Sequence, residues 1–131
     1  AVIGDGAAMS AHFVEDLIKL RDVRAMAFDS APLLTCLGND VGFDRVYEFP
    51  VKLFANGGAL FAVSSSGQSD DILRAGRAAS RRQCAVVTLS GFTDANPLRR
   101  AGNVNFYVPC EAYGLVETAH AALLHCILDC K

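Results

Sequence analysis

Short apolar runs alternate with helical patterns five times along this chain, and that alternation constrains the fold more than any other feature. The runs are residues 1–3, 25–28, 59–63, 84–89 and 104–108. Three of them are almost wholly apolar, as expected of strands whose two faces are both covered. Between them the spacing predicts helices over 7–20, 43–54, 70–82 and 113–130, with short ones starting at Pro32 and covering 97–101. Pro50 should kink or restart the second of the long patterns, 43–54, and residues 37–43, rich in Gly and Asn, read as a break. The pattern predicts an open α/β sandwich with a mainly parallel sheet. In such sheets ligands bind beyond the carboxyl ends of the strands. The polar segments Gly4-Asp5-Gly6, Asp29-Ser30, Ser64 to Ser69 and Ser90-Gly91 all fall at those ends. A chain of 131 residues fits one domain, 1–131. A strand at its first residue points to a preceding helical segment outside this sequence.

Composition narrows the class. Hydrophobic residues make up 52% of the chain, enough for a buried core, and the net charge of -2 offers no basic footprint for nucleic acid. No apolar run approaches the roughly 20 residues that cross a bilayer, and the opening residues carry no leader pattern. Five cysteines without a Cys-x-x-Cys pair read as small buried or half-buried thiols in a reducing cytoplasm rather than as a metal site.

The segment Ser64-Ser65-Ser66-Gly67-Gln68-Ser69 joins the third apolar run to a helix beginning near Asp70. Such a turn aims backbone N–H and hydroxyl donors at one small volume, where the helix start adds partial positive charge. A phosphate monoester suits it; a plain capped loop is the simpler account. It is not a P-loop, lacking Gly-Lys-Ser/Thr, and has no dinucleotide glycine pattern.

Two helices carry ionisable side chains on otherwise apolar faces. Met9, Phe13, Leu17 and Leu20 share one face of the first helix, where His12 and Asp16 are one turn apart. On the last, Glu117 and His120 are three apart, and His125 lies two turns beyond Glu117. His120 reads as a core or interface residue. The pairs His12 with Asp16, and Glu117 with His125, suit either packing roles or a divalent metal and acid–base work near neutral pH.

These pieces together resemble the sugar isomerase (SIS) domain family, and within it the phosphoheptose isomerase group. The matching stretches are Val2-Ile3-Gly4-Asp5-Gly6, His12-Phe13-Val14-Glu15-Asp16-Leu17, Leu37-Gly38-Asn39-Asp40-Val41-Gly42-Phe43, the Ser turn, Val87-Thr88-Leu89-Ser90-Gly91, and Glu117-Thr118-Ala119-His120 with His125. The resemblance implies a three-layer α-β-α sandwich with a five-stranded, mainly parallel, doubly wound sheet, and a homotetramer with sites at subunit interfaces. It implies that Ser64, Ser65, Ser66 and Ser69 hold a phosphate, with Asp5, Gly6, Asn39 and Asp40 as further substrate contacts. It places the general base on Asp16 and its acid partner on His125, and a zinc ion on His12, Asp16, Glu117 and His125. The implied reaction is aldose–ketose isomerisation of sedoheptulose 7-phosphate to a manno-configured heptose 7-phosphate, for surface polysaccharide such as lipopolysaccharide.

The chain departs from the family pattern in places. The first glycine-rich loop is about two residues shorter and carries Asp5 for Asn; Asp16 replaces a Glu; Glu117 replaces a Gln; Gly114 stands where a substrate-contacting Asp is usual; and Asp29-Ser30 reverses a Ser-Asp order. These departures keep a second reading in play, a non-catalytic SIS module that binds a phosphosugar or a protein partner such as the replication initiator.

Overall fold

The computed structural model describes the backbone of residues 2–4 and 7–130 and the side chains of residues 8–130. Ala1, Asp5 and Gly6, to which strand and substrate roles were assigned above, lie outside the described residues. Four strands, β1 (Val2–Gly4), β2 (Ala59–Ser64), β3 (Ala85–Ser90) and β4 (Val104–Tyr107), form one sheet in the order β1-β2-β3-β4. All three pairings are parallel. Among the described residues the expected fifth strand is reduced to an isolated bridge at Ala27. Phe28 turns into the core, its ring 5.9 Å from that of Phe54, so this short run serves mainly packing.

The helices are α1 (Ala7–Arg21), α2 (Ala31–Asp40), α3 (Glu48–Phe54), α4 (Asp70–Arg81), α5 (Pro97–Ala101) and α6 (Tyr113–Asp129). α2 runs through the stretch read as a break. Gly38 is helical, and the chain turns only at Gly42, whose φ of 97° a side chain would resist. The 43–54 pattern divides into a single 3-10 turn, Phe43–Arg45, and α3. Pro50 falls in the first turn of α3, where its missing N–H has no partner to lose.

Strand residues alternate between two cores. Leu60, Ala62 and Val86 face a cluster built with Phe28, Val51, Ile72, Ala79 and Leu98, beneath α2 to α5. Val63 and Leu89 face a second cluster with Phe13 of α1 and Leu124 and Leu128 of α6. Helices thus cover both faces of the sheet. Leu20, assigned to the same face of α1 as Phe13, is exposed. Cys84 is buried and Cys110 half-buried, but Cys36, Cys126 and Cys130 are exposed, against the expectation of buried thiols; all five are free. No helix among the described residues is long and apolar enough to cross a membrane.

Leu60, fully covered on the central strand β2, tests the first core. Leu60→Ala is expected to lower the unfolding free energy by about 2–5 kcal/mol, read as a reduced urea midpoint with an unchanged slope.

Candidate active site

β2 and β3 end level, with Ser64 paired to Ser90, so two Ser-containing corners stand side by side at the carboxyl edge. In the Ser turn, Ser64 and Ser65 are buried and Ser66 and Ser69 half-buried. Gly67 adopts φ 66°, and its N–H donates to both the carbonyl and the hydroxyl of Ser64, each at 3.2 Å. The Ser64 and Ser69 hydroxyls lie 3.2 Å apart, and Ser66 Oγ accepts from Gln68 N–H at 3.2 Å. Ser69 is the N-cap residue of α4. The four hydroxyls named from sequence are therefore gathered at one helix start. Asp70 and Asp71 lie in the first turn of that helix, where Asp71 accepts from Ile72 N–H.

The neighbouring corner fastens this turn in place. Gly91 N–H donates to Ser65 O at 2.9 Å, and Leu98 N–H to Gly67 O at 3.1 Å. A Cβ on Gly91 would lie 2.7 Å from Val116 Cγ1 and 3.0 Å from Ser65 O, so only glycine lets α6 and the Ser turn close on it. His120 is fully buried, and Nε2 lies 3.2 Å from Ser90 O. A carbonyl oxygen only accepts, so Nε2 carries the proton. Nδ1 has no hydrogen-bond partner among the described residues. Burial pushes the His120 pKa below its ordinary value.

The second constellation forms where α1 crosses α6. His12 Nε2 lies 3.4 Å and His125 Nδ1 3.9 Å from the same Asp16 Oδ2, and the two rings meet edge to face at 5.4 Å. Asp16 is buried, at 5% exposure, whereas both imidazoles are about half exposed. One donor atom from each residue lies within 4.8 Å of the others. Lys19, unnoticed in the sequence although one turn from Asp16, reaches its Oδ1 at 3.0 Å and Glu15 at 3.7 Å. The hydrogen bond from Lys19 holds the Asp16 carboxyl below its ordinary range, against the opposing pull of burial, and Asp16 raises Lys19 in return.

A tetrahedral zinc with bonds near 2.0–2.1 Å spaces its ligands about 3.3 Å apart. The 3.4 and 3.9 Å separations come close to that spacing, and two imidazoles with one carboxylate make a donor set that leaves a position open. The residues present fit the metal. Glu117 is not in this group. Eight helical residues separate it from His125, about 12 Å along the axis, and its side chain is exposed. Asn39 and Asp40 are also exposed, and Asn39 Nδ2 bonds Asp40 Oδ1 at 2.8 Å. A cavity of about 280 Å³ beside His12 and His125 is otherwise lined by apolar side chains of α1 and α6; no serine of the turn lines it. Among the described residues, the cavity at the imidazoles therefore does not take in the Ser half of the expected site.

His120 makes stability depend on pH. The unfolded chain takes up a proton that the folded chain resists, so stability is unaffected well above pH 6.5 and falls as pH drops through 6.5 toward the lower folded value. Asp16 acts in a more acidic window: its contribution is complete above about 3.8 and is lost as pH falls through its depressed folded value. Urea unfolding between pH 7.5 and 5 is expected to show a loss that His120→Asn abolishes.

No family model matches the chain. It is 33% identical over 135 aligned positions to the phosphoheptose isomerase of Bordetella avium, spanning 96% of this chain and 68% of that one. Its fold superposes on phosphoheptose isomerase GmhA from Neisseria gonorrhoeae with a TM-score of 0.90 at 28% identity, covering 98% of this chain and 74% of that one. A phosphoheptose isomerase from Francisella tularensis gives 0.88 at 25% identity, covering 98% and 72%. With the His12–Asp16–His125 cluster standing where two helices of this shared fold meet, the chain belongs to the phosphoheptose isomerase family.

Proposed function

We propose that the protein is an aldose–ketose isomerase that converts sedoheptulose 7-phosphate into a manno-configured heptose 7-phosphate, working as a cytoplasmic homotetramer of single-domain subunits with sites at subunit interfaces. The observation that carries the reading is the meeting of His12, Asp16 and His125 in a chain whose relatives are phosphoheptose isomerases. The Ser64, Ser65, Ser66 and Ser69 turn grips the phosphate through its hydroxyls at the partly positive start of α4. Holding the far end of the sugar there turns remote binding energy into orientation of the reacting carbons. Asp16, kept ionised at neutral pH by Lys19, takes the proton from the carbon beside the carbonyl. His125 moves a proton to and from the oxygens of the resulting enediol.

Zinc held by His12, Asp16 and His125 supplies stabilisation of negative charge on oxygen when bound. Glu117, exposed and about two turns from His125 on α6, would join a site on a neighbouring copy rather than its own. Exposed apolar side chains such as Leu20, Leu53, Phe54 and Leu115 support assembly. The lock of Lys19 on Asp16 favours a second reading, a binding module in which the carboxylate no longer works as a base.

Turnover of sedoheptulose 7-phosphate separates the two. The enzyme reading expects product formation that His125→Ala lowers by about 10²–10⁴-fold; a wild type no faster than that variant leaves only the binding module. Metal analysis is expected to find about one zinc per chain, with affinity reduced at least tenfold in His12→Ala.

A further inference from the structure

We infer that Asn96 is a positioning residue for the phosphate-binding turn, acting through the corner that follows β3. This rests on the reading of the Ser turn as the phosphate site. Asn96 is 1% exposed, and both ends of its amide are hydrogen-bonded. Its Oδ1 accepts from Arg99 N–H at 2.8 Å and so caps α5. Because Arg99 N–H can only donate, the oxygen must face it, and the NH2 group therefore faces the corner. There Nδ2 lies 3.2 Å from Ser90 Oγ, 3.1 Å from Gly91 O and 2.8 Å from Thr93 O. Two hydrogens shared among three oxygens gather residues 90 to 93 into one arrangement.

That arrangement presents the donors that hold the Ser turn: Gly91 N–H on Ser65 O, and Leu98 N–H, two residues beyond Asn96, on Gly67 O. Asn96 also touches the turn directly. A Cβ on Gly67 would fall 2.1 Å from Asn96 Oδ1. The side chain thus packs against the residue whose φ of 66° shapes the turn. None of these contacts reaches the His12–Asp16–His125 cluster. Loss of the amide should therefore loosen the phosphate grip and leave metal binding alone, a split that general destabilisation would not produce.

The test titrates inorganic phosphate and sedoheptulose 7-phosphate into wild type, Asn96→Ala and Asn96→Ser by calorimetry. Serine retains a cap for α5 but is too short to gather the corner. Both variants are expected to bind phosphate at least tenfold more weakly and to show a raised KM with kcat within a few-fold of wild type. Their zinc affinity should be unchanged. Val51→Ala, a core change away from the turn, is the control: it should lower Tm without moving phosphate affinity.

A second measurement needs no variant. In wild type, phosphate should shift the Asn96 side-chain amide resonances and slow hydrogen exchange at Gly91 and Leu98. Folded variants that bind phosphate within twofold of wild type overturn the inference, as do corner amides indifferent to phosphate. A wild type that binds no phosphate removes the phosphate reading of the Ser turn, and this inference with it.

Discussion

One backbone hydrogen bond, from Gly91 N–H to Ser65 O, joins the two corners at the carboxyl edge of the sheet. It forms because β2 and β3 run parallel and stop at the same level, so the chain leaves both strands side by side. The Ser turn owes its position to this bond and to Leu98 N–H, and α6 approaches the same corner through Val116 and His120. Ser90 O, accepting from Val108 N–H as well as His120, ties β4 and α6 to one atom. A buried corner held by several backbone hydrogen bonds has few alternative arrangements, which is what a ligand site needs from its scaffold.

The imidazole–carboxylate cluster obeys different physics. It is held by two helices, and its only buried member is Asp16. A buried carboxylate is costly unless cations or donors surround it. Here Lys19 stands on one oxygen and two imidazoles face the other. The Lys19 bond fixes the carboxylate so that Oδ2 alone looks toward His12 and His125. The same bond makes Asp16 a weaker base while keeping it ionised. The short Asp16 side chain thus comes with a partner one turn away that orients it.

Sequence periodicity exposed the alternation of strands and helices because apolar runs and amphipathic stripes are local signals. It failed at residues 25–28, where the same apolar signature serves packing by Phe28 rather than strand pairing. It failed again at Gly38, since a helix supported by a core tolerates a glycine that composition reads as a break. His12, Asp16 and the four serines were legible because spacing alone puts them on one helix face or in one turn. Lys19 was equally legible by spacing, one turn from Asp16, but a lysine on a helix ordinarily signals solvation. Asn96 left a fainter mark: Asn before Pro at a helix start announces a cap, not the second set of bonds to residues 90–93. Those depend on a corner brought near only by the fold.

Catalysis on a long phosphorylated sugar requires the two halves to act on one molecule, yet the cavity beside the imidazoles contains no serine from the turn. The link within a chain is α6 itself. His120 is bonded to the corner that holds the Ser turn, and His125 lies five residues further, about 7.5 Å along the axis. A rigid helix anchored by a buried imidazole fixes that offset. Glu117, three residues on the other side of His120, is fixed by the same anchor but points its carboxylate to solvent. The geometry of one chain therefore sets where each group stands relative to the sheet edge. A helix that passes through the core at His120 carries His125 on one side of that anchor and Glu117 on the other, each at a fixed distance from it.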